Sequence, residues 1–174
     1  MTQPMTQPMT QPVATPPLRL DRHSLEHAAR TAVGATVALV VARIFKLPES
    51  HWAAITTIIV LQSTLGAALS VSGLRFIGTA LGAVAGGLLA SHFGPQFYIF
   101  GPALFLLGVL TAALHLDRSA FRFAGITLAI VMLVAHTQSP WIVAAHRFVE
   151  VSIGIVIGLL LAAVWPERRP PDLA

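Results

Sequence analysis

Between Leu25 and Trp165 the chain is a succession of apolar stretches, each closed by proline, glycine or a charged or polar cluster. A helix crosses the hydrocarbon of a bilayer in about 20 residues, with roughly 17–25 tolerated. Six stretches of that order can be read: 25–45, stopping at Lys46 and Pro48; 52–69, stopping before Ser-Val-Ser-Gly; 74–92, stopping at Gly94-Pro95; 97–115, up to His115 and Asp117; 119–136; and 141–165, stopping at Pro166. Only 10% of the residues are charged and 55% are hydrophobic. A soluble domain carries about 25% charged residues, so lipid is the solvent this composition suits. The expected fold is all-α: one polytopic membrane domain over 25–166, its six spans joined by short loops as antiparallel neighbours. Residues 1–20, a Thr-Gln-Pro-rich low-complexity stretch, are expected to be a disordered tail without signal-peptide character. Residues 167–174 are expected to be a short tail.

The chain writes one line twice. "RFIGTALGAVAGGLLA" at 75–90 and "RFVEVSIGIVIGLLLA" at 147–162 align at an offset of 72, sharing Arg-Phe, two glycines and Leu-Leu-Ala. "WAAITTIIV" at 52–60 and "FAGITLAIV" at 123–131 align at an offset of 71. Two matches at nearly one offset predict two three-helix halves. With an odd number of spans per half, the second inserts upside down, the inverted repeat of many transporters, whose sites lie where the halves meet. Gly78, Gly82 and Gly86 fall on one face of the third span and Gly154 and Gly158 on one face of the sixth. Small residues four apart let backbones approach closely in lipid. These glycines are expected to pack helices, with the third and sixth spans crossing near the pseudo-symmetry axis.

Polar side chains inside apolar stretches are the candidate functional residues, because ionised groups at membrane depth usually face the protein interior or water. Arg147 and Glu150 are three apart, on one helix face, where they can neutralise each other. They read either as an anion-binding arginine with a titratable partner or as a structural ion pair. Glu150 stands where the first copy has Gly78, and so breaks the repeat. Gln62 reads as lining a substrate path or as bonding a neighbouring helix. Arg75 opens the third span and reads as a substrate contact or as a cytoplasmic-edge anchor that snorkels. His51, His92, His136 and His146 fall toward the opposite ends of spans; interfacial placement is the default, and His146 is the candidate for proton relay.

Other classes are excluded or left without a signal. There is no cysteine, hence no disulfide, thiolate metal site or cysteine nucleophile. The histidines lack metal-ligand spacing, so no metal is expected. No Gly-rich phosphate loop and no nucleophile–base set appears, so neither a cofactor nor enzyme activity is expected. The net charge of +4 is spread between apolar segments rather than clustered, which argues against nucleic acid. With the N-terminus in the cytoplasm, lysines and arginines near span ends divide eight to three in favour of the cytoplasmic side. Both termini are therefore expected to be cytoplasmic. Trp52, Trp141 and Trp165 fall at expected span ends, where such rings sit at the interface.

"LPESHWAAITTIIVLQSTLG" at 47–66, followed by "LRFIGTALGAVAGG" at 74–87, resembles the fusaric acid resistance and aromatic acid exporter family. The matching positions are Trp52, Thr56, Gln62, Arg75, Gly78, Thr79, Gly82 and Gly86, with "RTAVGATVALVVARIF" at 30–45 and the closing Trp-Pro at 165–166 in support. The resemblance implies a six-span inner-membrane domain and proton-driven efflux of aromatic carboxylic acids. It also implies a looser kinship to anion channels. The first reading is thus secondary efflux of small organic anions, with Arg147, Gln62 and Arg75 as substrate contacts and Glu150 or His146 coupling protons. A homo-oligomer in the bilayer is expected. A passive anion channel of the same architecture is the second reading. A membrane scaffold that needs a separate soluble or periplasmic partner is the third.

Overall fold

The computed structural model describes residues 22–61, 64–94, 97–134 and 137–166. Among them six helices follow one another: α1 Arg22–Ile44, α2 His51–Val60, α3 Leu65–Phe93, α4 Phe97–Ala113, α5 Arg118–Leu133 and α6 Pro140–Val164. Stretches Ser24–Ile44, Leu65–Phe93 and Pro140–Val164 are long and apolar enough to cross a membrane. Many large apolar side chains point outward, among them Phe97, Phe105, Leu106 and Val164. Such a surface suits contact with lipid rather than water.

The helix starts follow local chemistry. The Thr64 hydroxyl accepts from the Ala67 N–H at 3.2 Å, and Asp117 caps α5 through the Ser119 N–H at 2.7 Å. That backbone N–H holds the Asp117 carboxyl below the usual carboxylate range. Pro140 stands at the first position of α6, where its missing N–H costs nothing.

One boundary departs from the expected pattern. The second stretch does not run to Leu69. α2 ends at Val60 after 10 residues, about 15 Å of helix, and α3 begins at Leu65 rather than near residue 74. The hydroxyl of Thr64 supplies a ready N-cap. Ser70-Val71-Ser72-Gly73, expected as a loop, continues α3; an apolar setting tolerates glycine and serine within a helix.

The helices pack with a recurring pattern. Each helix–helix contact has a counterpart when α1, α2 and α3 are exchanged for α4, α5 and α6. α1 and α4 end in the same turn. After α1, Lys46 N–H donates to Arg43 O at 2.9 Å and Leu47 N–H to Ala42 O at 3.1 Å; after α4, His115 N–H donates to Ala112 O and Leu116 N–H to Thr111 O, both at 3.0 Å. Lys46 and His115 both adopt positive φ, 56° and 54°, the left-handed residue such a helix end requires.

The glycine rows meet partners in the same correspondence. A Cβ on Gly82 would collide with the Ala124 carbonyl and sit 2.9 Å from Thr127 Cβ. A Cβ on Gly154 would sit 2.5 Å from both the Ala53 carbonyl and Thr56 Cβ. Gly86 faces Val131 as Gly158 faces Val60. The rows therefore face α5 and α2 rather than each other. α3 and α6 do touch, through Phe76 and Phe148, whose ring centroids are 4.9 Å apart, and where Trp141 lies against Gly87. Glycine is needed where a neighbour's main chain approaches, and that neighbour is α5 or α2.

Gly82→Ala is expected to destabilise the fold by about 1–3 kcal/mol through overpacking. Gly73→Ala, whose added Cβ meets nothing within 4 Å, is expected to be neutral or stabilising by up to about 1 kcal/mol. Thermal unfolding in detergent separates them; equal melting would contradict the close α3–α5 contact.

Candidate functional site

The site is built from α6 and the segment leading into α2. Arg147 and Glu150 lie two to three turns into α6 and are 2% and 1% exposed. Arg147 Nη1 is 3.9 Å from Glu150 Oε2, an ion pair too long for a hydrogen bond. The guanidinium lies over the Trp52 ring, 3.5 Å from its centroid, a cation–π contact strengthened by desolvation. Trp52 Nε1–H donates to Glu49 Oε2 at 3.0 Å, and the Glu49 backbone N–H donates to Glu150 Oε1 at 3.0 Å. The chain of contacts thus closes on itself: arginine, glutamate, backbone, second glutamate, indole, arginine.

The ring leaves polar atoms over. Arg147 Nε and Nη1, Glu150 Oε2 and His146 Nδ1 are buried without a hydrogen-bond partner. Such atoms carry a desolvation cost of about 1–3 kcal/mol each, more when charged. The three residues that carry them line a cleft of about 220 Å³, whose wall also includes Glu49, Thr137 and Gln138. A site with unpaired donors beside a small cleft is equipped to receive a small polar ligand.

The repeat supplies a second, more occupied version. Arg75 Nε and Nη2 donate to Thr56 Oγ1 at 3.2 and 3.0 Å, and the guanidinium lies 4.8 Å from the Phe123 centroid. Arg75 over Phe123 repeats Arg147 over Trp52 at the registers of the duplicated lines. Arg75 is 4% exposed and ten residues into α3. It is not a snorkelling anchor at a helix edge, because α3 starts well before it. Neither Arg75 nor Arg147 stands at a helix end, so both leave the charge comparison used for orientation. Phe76 and Phe148, at equivalent positions, touch each other. Equivalent residues can meet only where the two halves do, and each arginine is one residue away.

The Gly78-to-Glu150 difference now has a physical account. Around Gly78 the space a Cβ would need is filled by the Ala120 carbonyl, Phe123 Cβ and Ala124 N. The corresponding space on α6 holds the Glu150 carboxylate, which takes the N–H of Glu49. One half closes on backbone; the other opens enough to hold an acid.

Among the remaining sequence candidates, Gln62 and His136 lie outside the described residues. His51 and His92 are exposed, His92 Nδ1 lying 2.9 Å from Leu88 O. Arg30 is buried and its Nη1 donates to Trp165 O at 3.0 Å, a cation at the end of α6 where the helix dipole favours one. Among the described residues no three of His, Asp and Glu gather as a metal site. Sequence reasoning did not find Glu49, Thr137 and Gln138, which sit in connecting segments. The signal for Trp52 was present, since it aligns with Phe123 beside the aligned arginines.

Apolar helices of bilayer length around a buried, incompletely paired guanidinium define a membrane protein with a polar site in its interior. The chain belongs to the fusaric acid resistance protein-like family, whose model matches residues 29–161. It is 31% identical over 150 residues to the uncharacterized transporter YdhK of Escherichia coli K12, covering 81% of this chain and 22% of that protein. It is 28% identical over 161 residues to the inner membrane protein YeeA of the same organism, covering 87% of this chain and 44% of that one. The chain thus spans less than half the length of these relatives. No solved structure matches it.

Glu150→Ala is expected to cost about 3–5 kcal/mol, because it leaves Arg147 buried without its counter-charge. Replacing both, Arg147→Met with Glu150→Leu, is expected to recover most of that loss. A double-mutant cycle by thermal unfolding checks this; losses that simply add would show that the two residues do not act as a pair.

Proposed function

We propose that this chain is a membrane transport domain for small organic anions, aromatic carboxylates among them, with Arg147 as the anion contact. The observation that carries the reading is the buried Arg147 guanidinium, with Nε and Nη1 unpartnered on the wall of a cleft of about 220 Å³. Guanidinium is suited to carboxylate. The volume falls below the roughly 300–1,000 Å³ of drug-sized pockets, so the ligand is small. Glu150 and His146 are the candidate proton carriers, and Arg75, one station further along the meeting line of the halves, is a second anion contact. Gln62 keeps its role as a path-lining candidate. A homo-oligomer, or a partner standing in for the further length of the relatives, would complete the path.

The proposed architecture is six spans arranged as two inverted three-helix halves. Three features support it: the exchange symmetry of the helix contacts, the matched turns after α1 and α4, and the matched glycine contacts. Gly82 and Gly86 meet α5 in the order Ala124, Val131, so α3 and α5 run parallel; α6 and α2 do likewise through Gly154 and Gly158. Alternating spans demand that relation between the third and fifth, and between the second and sixth. We place the domain in the inner membrane, as its relative YeeA is named, with both termini cytoplasmic. The direction we assign is export, on the strength of the family's description as fusaric acid resistance protein-like.

Flux of aromatic carboxylates into and out of proteoliposomes tests the reading. Arg147→Gln is expected to lower flux about ten- to a hundredfold, the worth of a charged hydrogen bond. Glu150→Gln is expected to retain flux and lose its response to a pH gradient. Wild-type flux that ignores the gradient would make the domain a channel. Absence of flux from folded protein would leave a scaffold.

A further inference from the structure

The cleft has an unusual charge count for an anion site. Among the described residues, two carboxyl groups, Glu49 and Glu150, and one guanidinium, Arg147, stand on its wall. An anion arriving at Arg147 would come close to Glu150 Oε2, which is 3.9 Å from Nη1. Two carboxylates sharing one cation in a desolvated space repel, and such pairs are relieved when one of them takes up a proton. We propose that the cleft binds its ligand as an anion and a proton together: a small monocarboxylate on Arg147 and a proton on Glu150 Oε2. This rests on the reading of the cleft as an anion site.

The hydrogen bonds say which atom carries the proton. Glu150 Oε1 accepts the Glu49 N–H at 3.0 Å, a role a carbonyl oxygen fills as well as a carboxylate oxygen does. Oε2 has no partner. In the protonated acid Oε1 keeps its N–H, and the Oε2 hydroxyl is free to donate to the arriving carboxylate. The ligand then receives N–H bonds from Arg147 and one O–H bond from Glu150, which gives Arg147 Nε and Nη1 and Glu150 Oε2 their partners. The proton comes from solvent in the cleft. Without it, Glu150 acts as the competitor that holds Arg147 in the absence of ligand. A dicarboxylate would bring a further negative charge toward Glu49 with no second guanidinium among the described residues of the cleft wall, so the site favours one carboxylate.

Other charges among the described residues act on the pair. Glu49, from the segment before α2, and Arg147, on the same helix, act on Glu150. Arg75 from α3 acts on Arg147. His146, beside Arg147 on α6, borders the same cleft and would also attract an anion when protonated, so the test must separate it from Glu150. Linkage makes the coupling reciprocal: protonation tightens the anion, and the anion tightens the proton. Transport by such a site carries the acid as a neutral unit.

Calorimetric binding of benzoate to the purified full chain in detergent, between about pH 6 and 8.5 so that the benzoate itself stays ionised, tests the proposal. The wild type is expected to weaken by up to about tenfold per unit of rising pH. Paired buffers of different ionisation enthalpy should show close to one proton taken up per anion. Glu150→Gln is expected to bind with one affinity across the range, as tightly as the wild type at its acid end. His146→Gln is expected to keep the wild-type pH dependence. Proton release on binding, tighter binding at high pH, or pH dependence that survives in Glu150→Gln and disappears in His146→Gln would overturn the proposal while leaving the anion site standing. No benzoate binding by folded wild type at any pH would overturn the anion site as well. The proton count in the wild type stands even if a variant fails to fold.

Discussion

Main-chain contact between parallel helices is the constraint on which the rest of this structure depends. In lipid, helices gain little from the hydrophobic effect against each other and associate mainly through close packing. Here Gly82 brings α3 onto the Ala124 carbonyl, and Gly154 brings α6 onto that of Ala53. Two pairs result, α3 with α5 and α6 with α2, and α3 and α6 then meet through Phe76 and Phe148. The arginines beside those rings are carried into the interior by the same packing. Their placement over Phe123 and Trp52 is a consequence of glycine registers about two turns further along each helix.

The two halves are alike in framework and unlike in chemistry. Thr56 takes two bonds from Arg75, so the first arginine is held. The equivalent threonine in the other half, Thr127, turns its hydroxyl to Phe123 O at 3.0 Å and does not hold Arg147. Arg147 has instead a carboxylate at 3.9 Å and an indole face. At the corresponding positions the first half has glycine at 78 and the second has glutamate at 150. Glycine permits backbone approach there; glutamate occupies that space and fixes the entry to α2 through the Glu49 N–H.

Much of this was legible in the amino-acid sequence. The apolar stretches marked where helices lie, and the offsets of 72 and 71 marked which positions correspond. The i,i+3 spacing placed Arg147 and Glu150 on one face. The end of α2 was not legible, because an apolar run that continues through Leu61 and resumes at Leu65 masks a hydroxyl cap, and capping is decided by local geometry. The environment of Arg75 was misjudged for the same reason: with α3 taken to start near residue 74 it stood at an edge, and with the start at Leu65 it stands inside.

By itself the sequence determined that the chain is a helical membrane protein, since hydropathy and residue spacing act along the chain and need no partner. Only the tertiary structure decided which helices the glycines join, that Glu49 and Trp52 close the ring around Arg147, and that a cleft remains beside the unpaired atoms. Those outcomes depend on contacts across about a hundred residues, as between Glu49 and Glu150, and no local preference of the chain encodes how two distant helix faces will meet.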